Sequence, residues 1–167
     1  MKILGVDPGL ANCGWAVVEV GQKKINEVMS FEKKYNLLSY GTIETSSTDL
    51  ISSRLKKIFF SLEGIIDKNQ PDVVSLESQF YSKVAKSMIQ TYLSTAMVYL
   101  LCGTKNLPLY EYSAKTVKAS ITGYGSATKF QLKKMVQLLL NLQKPISSEH
   151  INDAISVALC YIHTKGI

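Results

Sequence analysis

A chain of 167 residues, 46% hydrophobic and 19% charged, is long enough to bury one core and too apolar for a disordered chain. No run is apolar for long enough to span a membrane, and the apolar start breaks at Asp7-Pro8 too early for a secretory signal. One cytoplasmic domain over residues 1–167 is therefore expected. Nineteen Lys and Arg against thirteen Asp and Glu give a net charge of +6, which favours a polyanionic partner without naming one.

Residues 2–7 form a short apolar run with β-branched members that ends in Asp-Pro-Gly, the pattern of a buried strand delivering a carboxylate at its C-terminal end. Residues 15–20 read as a second strand, with Gly14 easing the turn before it. Residues 21–36 are rich in Lys and Glu and read as a long exposed loop or hairpin tip. A third strand over 37–45 completes an antiparallel meander. Ser46, Ser47, Thr48 and Asp49 offer N-caps for a helix reaching about Asn69, whose apolar residues recur at helical spacing. After Pro71, residues 72–77 (Asp-Val-Val-Ser-Leu-Glu) read as a strand that again closes on an acid. A helix over 82–102 follows, closed by Gly103. Residues 108–112 make a further strand. A stretch containing Gly123 and Gly125 then precedes a helix over 128–142, and the last helix covers 148–163 with Ser147 or Ser148 as cap. The order β-β-β-α-β-α-β-α-α predicts a mixed α/β sheet covered by helices.

Three acids stand out. Asp7 and Glu77 each end an apolar strand, where α/β sheets place their ligand crevices. Asp153 lies mid-helix in His-Ile-Asn-Asp-Ala-Ile-Ser-Val-Ala, with His150 one turn before it on the same face. Taken singly, each acid has an ordinary explanation as a turn, solvated or surface residue. Taken together they repel unless a cation neutralises them, which points to a divalent metal site. Hard oxygen ligands suit Mg²⁺ or Mn²⁺, and two such ions about 4 Å apart can activate a water and stabilise the leaving oxygen of a phosphodiester. Lys115, Lys118, Lys129, Lys133 and Lys134 cluster in one stretch beside these elements. The cysteines (Cys13, Cys102 and Cys160) are odd in number and scattered, and they read as small buried residues rather than as a zinc site or disulfide frame.

Ile3-Leu4-Gly5-Val6-Asp7-Pro8-Gly9 followed by Cys13-Gly14-Trp15, then Leu76-Glu77-Ser78-Gln79-Phe80, resemble the two first acidic motifs of the RuvC family of Holliday-junction resolvases. Tyr112, Val117-Lys118, the run Gly123-Tyr124-Gly125-Ser126-Ala127-Thr128-Lys129 with Gln131, and the segment from His150 to Ala158 are similar to its remaining motifs, in the same order. The resemblance covers nearly the whole chain. It implies a ribonuclease-H-like fold with a mixed five-stranded sheet. It also implies an endodeoxyribonuclease that nicks opposed strands of a four-way junction and leaves 5′-phosphate and 3′-hydroxyl ends. Asp7, Glu77, His150 and Asp153 would then be catalytic and hold two Mg²⁺ ions, with Mn²⁺ able to substitute. Phe80, Lys83, Lys118, Gly125, Ser126, Lys129 and Lys133 would contact DNA, Phe80 by stacking on an unpaired base near the crossover.

The resemblance further implies a homodimer built on the helix over 82–102. That helix is apolar on two sides, Val84, Met88, Tyr92 and Tyr99 on one and Ile89, Leu93, Ala96 and Leu100 on the other. Two departures stand against the pattern. The loop over 21–36 is longer than usual, and Val84, Tyr92, Thr95 and Ala96 replace the asparagine, glycines and arginine common in the dimer helix. These changes leave the dimer geometry and a partnership with the RuvA and RuvB branch-migration proteins open. A divergent, phage-borne member with broader branched-DNA specificity is one alternative. A different nuclease of the same superfold, or a non-catalytic branched-DNA binder, is another.

Overall fold

The run Ile3-Leu4-Gly5-Val6 becomes the middle of β1 (Lys2–Pro8), the central strand of a five-stranded sheet ordered β3-β2-β1-β4-β5. A computed structural model describes residues 1–21, 35–78 and 86–167, with side chains from residue 89 onward in the last stretch. Most of the predicted loop over 21–36, and the predicted DNA contacts Phe80 and Lys83, lie outside the described residues. β2 (Asn12–Val20) and β3 (Tyr35–Glu44) complete the antiparallel meander. After α1 (Ile51–Asn69), β4 (Val73–Ser78) lies parallel to β1 on its other side. β5 (Leu109–Ser113) follows α2 (Lys86–Lys105) and pairs parallel with β4. The chain closes with α3 (Ala114–Thr122), α4 (Lys129–Leu139) and α5 (Glu149–Lys165).

Because strand side chains alternate, each strand feeds two cores. Leu4, Val6, Val17, Val74 and Leu76 pack with Ile58 and Leu62 of α1 and Val98 and Leu101 of α2. Ile3, Ala16, Val18 and Val73 pack on the opposite face with α3, α4 and α5, from which Ala154, Ile155, Ala158 and Leu159 are fully buried. Burying each of these large aliphatic side chains contributes about 1.5–3 kcal/mol relative to leaving it in water. All three cysteines are buried. Among the described residues, no helix is long and apolar enough to cross a membrane.

Several local expectations are corrected. The polar run 46–49 does not cap α1. The Ser46 and Thr48 hydroxyls bond each other, the Thr48 amide donates to Ser46 Oγ, and the N-cap is Leu50 with no side-chain bond. Gly103 lies inside α2 rather than closing it, and the chain turns at Asn106 with φ 54°. A fifth helix, α3, begins immediately after β5, capped by Ser113 Oγ accepting from the Thr116 amide. In α2 the core side is neither of the two apolar rows read from the sequence. Ser94, Thr95, Val98, Leu101 and Cys102 are buried, whereas Ile89, Tyr99 and Leu100 are exposed. The Ser94 and Thr95 hydroxyls donate to the carbonyls one turn earlier, which lets polar residues face the core without an unsatisfied group.

Candidate active site

The parity of two strands sets the site. Ile3 of β1 and Val73 of β4 face α5, so two-residue periodicity turns Asp7 and Glu77 to that same face. The parallel register pairs Gly5 with Ser75 and Val6 with Leu76, so Asp7 and Glu77 come next, side by side. Both carboxylates emerge where the two strands end.

α5 supplies the other two side chains, and three contacts fix its height over the sheet. A Cβ on Gly5 would collide with the Ala154 carbonyl oxygen, and a Cβ on Gly14 with that of His150. Gly14 therefore does not ease a turn: it sits inside β2 directly opposite Asp7, and its missing side chain is what lets the helix approach. Ser75 Oγ donates to the Val157 carbonyl at 2.9 Å, tying β4 to the same helix. At the helix start, Ser148 Oγ accepts from the Ile151 amide. The buried Asn152 side chain donates to the carbonyls of Ile146 and Ser148, securing the approach to α5. His150 and Asp153 are thereby held over the strand ends.

His150 Nδ1 lies 2.7 Å from Asp7 Oδ2, forming a partly buried ion pair when the ring is protonated. The three carboxylates sense one another. Burial pushes the Glu77 carboxyl up to about 7, reinforced by the charges of Asp153 and Asp7. Burial raises Asp153 as well, and the charge of Asp7 adds to it. Asp7 is raised by burial, against the opposing hydrogen bond and charge of His150. Mutual repulsion in a desolvated crevice is the condition that a bound cation relieves. Among the described residues, no three His, Cys, Asp or Glu side chains already stand at metal-ligand spacing.

Positive charge surrounds the crevice. Lys129, at the start of α4, lowers the proton affinity of Asp7, Glu77 and Asp153, and Lys118 of α3 does the same for Glu77. Lys129 is joined to Glu149 by a 2.5 Å ion pair, an acidic partner that the sequence reading missed. Its signal was available, since Glu149 directly precedes His150. Thr128 and Gln131 form a capping box that fixes the first turn of α4 and hence the Lys129 stem. Gly125 lies against the Lys115 side chain, and Ser126 is exposed in the loop before α4. Lys133, one turn beyond Lys129, is partly buried and close enough to lower the proton affinity of Glu149.

A five-stranded mixed sheet with carboxylates at the ends of its two central parallel strands and a third acid on the covering helix is a ribonuclease-H-like architecture. The family model described as crossover junction endodeoxyribonuclease RuvC matches residues 3–161. The chain is 40% identical over 162 residues to the crossover junction endodeoxyribonuclease RuvC of Caldicellulosiruptor saccharolyticus, covering 97% of this chain and 92% of that protein. It is 36% identical over 164 residues to the Endomicrobium trichonymphae protein of the same name, covering 98% and 82% respectively. Among solved structures, Thermus thermophilus RuvC in complex with a Holliday junction substrate superposes with a TM-score of 0.88 at 24% identity, over 99% of this chain and 94% of that one. The chain belongs to the RuvC family of crossover junction endodeoxyribonucleases.

Proposed function

We propose that the protein is a Holliday-junction resolvase that cuts the two opposed strands of a four-way DNA junction, with Asp7, Glu77, His150 and Asp153 as its catalytic residues. The observation carrying this reading is the convergence of three mutually coupled carboxylates and an imidazole on one sheet face, beside Lys118 and Lys129. The donor set fits divalent cations: hard anionic oxygens from Asp7, Glu77 and Asp153, whose charge is unfavourable in a buried crevice until neutralised. Two Mg²⁺ ions, with Mn²⁺ as a substitute, would supply the Lewis acidity for in-line hydrolysis of a phosphodiester. The chain itself supplies the rest. His150 pairs with the Asp7 carboxylate through Nδ1, and it would serve as a metal ligand or position the attacking water. Lys118 and Lys129 hold the phosphate and offset its developing charge. Departure of the 3′ oxygen leaves 5′-phosphate and 3′-hydroxyl ends.

Cutting opposed strands needs two such sites, and α2 offers a surface for a homodimer. Ile89, Ala96 and Leu100 form an exposed row with Tyr99 beside it, an apolar stripe that a second copy would cover. The test is cleavage of a labelled synthetic four-way junction with Mg²⁺ or Mn²⁺, beside linear duplex and the Asp7→Asn variant. Paired, ligase-sealable nicks are expected, reduced by about 10²-fold or more in Asp7→Asn with binding retained. Binding without cutting under every ion would make the protein a junction binder instead, and ends that ligase cannot seal would exclude the hydrolysis described.

A further inference from the structure

Phe130 follows Lys129 in the first turn of α4 and is 75% exposed. The fold does not require an aromatic there, because α4 is seated through Leu132 and Val136. An exposed ring of this size leaves apolar surface in water, which calls for a ligand that covers it. Its setting is mixed in charge. Phe130 lines a cavity of ≈ 250 Å³ with Leu132, Ser147 and Asn152, the cations Lys129 and Lys133, and the acids Glu149 and Asp153. The cavity thus shares Asp153 with the catalytic crevice. Phe60 of α1 is a useful contrast, since it is 56% exposed and shares a surface hollow with Lys56 and Lys57, yet sits on the other face of the sheet, away from the carboxylates.

We propose that Phe130 is a base-stacking residue that takes the face of an unpaired base next to the scissile phosphate. This rests on the reading of the chain as a branched-DNA nuclease. Lys129 and Lys133 are one helical turn apart on one face, with Phe130 beside that pair, so an exposed ring flanks two cations. That grouping suits an unstacked strand, whose phosphates would meet the lysines while a base takes the ring. A base inside duplex DNA presents no free face to such a ring. Phe130 thus favours a nucleotide that has lost its pairing, as at a crossover, and acts on selectivity for branched substrate. A protein partner on this patch would not require the continuity with Asp153 or the flanking lysines.

The test uses the full chain carrying Asp7→Asn, so that substrate stays intact, and junctions with 2-aminopurine placed in turn at each nucleotide around the cut. One position should change fluorescence on binding. Phe130→Ala should abolish that change and weaken junction binding roughly 5- to 150-fold, the range expected when a stacked ring is truncated, with duplex affinity unaltered. Phe130→Trp should restore both readouts, and Phe60→Ala should behave as the parent. Because the ring is exposed, equal melting temperatures will show that the variants fold. Phe130→Ala with parental affinity and an unchanged signal overturns the proposal alone, as does an equal loss on junction and duplex. A parent that fails to prefer junction over duplex overturns it together with the branched-DNA reading.

Discussion

Along β1, Leu4 and Val6 point to α1 and α2, whereas Ile3, Gly5 and Asp7 point to α5. β4 repeats the division, with Val74 and Leu76 on the first side and Val73, Ser75 and Glu77 on the second. The side toward α1 and α2 is filled by large aliphatic groups and carries no ionisable group of the site. Beyond Ile3 and Val73, the side toward α5 carries less side-chain bulk: a glycine, a serine hydroxyl and two carboxylates stand where the other side has Leu and Val. The difference shows how a single alternating strand can separate stability from chemistry. One parity is apolar to the strand ends, and the other is packed by Ile3 and Val73 at its start and then admits close backbone approach and repelling charges at its end.

This division can be broken from either side. Leu62→Ala, on the packed side, should lower stability by about 2–5 kcal/mol. Below its lowered melting temperature it should cut at close to the parental rate, and a large fall in rate there would contradict the separation. Gly14→Ala, on the other side, should cost about 1–3 kcal/mol by overpacking. It should reduce cleavage out of proportion, because the added methyl displaces the His150 backbone. Parental cleavage by Gly14→Ala would show that α5 height is not what sets the site.

Glu77 sharpens the comparison through pH. Its carboxyl is pushed up to about 7 from 4.5, so between those values the folded protein holds more protons than the unfolded chain. Stability of the metal-free protein should therefore fall as pH rises through that window. Glu77→Gln removes the penalty. Allowing for partial exposure, it should stabilise metal-free protein at pH 8 by on the order of 1–2 kcal/mol, or about 2–8 °C, with little change near pH 4.5. A lower melting temperature for Glu77→Gln at pH 8 would contradict the repulsion argument. The smallest effect belongs to Glu149→Gln. Freed from its ion pair, Lys129 should contact phosphate more fully, steepening the salt dependence of junction affinity by about one unit of log K per log [salt]. An unchanged slope would mean that the Glu149 pair does not compete with phosphate for Lys129.

The strand ends were legible because a buried strand that closes on an acid is an unusual sequence, and Asp7 and Glu77 each do so. Their adjacency was not, since it depends on the parallel register of β1 with β4, which no local pattern encodes. The motif resemblance carried His150 and Asp153 to the same place, but the reason α5 reaches them lay in Gly14, a residue that reads locally as a turn former. α3 escaped notice because only Val117 and Ile121 are buried in its nine residues, too few to mark a helical stripe. The core side of α2 lay in neither of its apolar rows, for a physical reason. Ser94 and Thr95 satisfy their hydroxyls within the helix, so polarity there does not report exposure.

The contact between His150 and Asp7 joins residues 143 positions apart in the chain. The helix that carries His150 and Asp153 also packs with Val117 and Ile121 of α3 and Leu132 and Val136 of α4. The elements bearing Lys118 and Lys129 are therefore seated on the same helix as the third acid, so a single docking event brings the acids and the cations together.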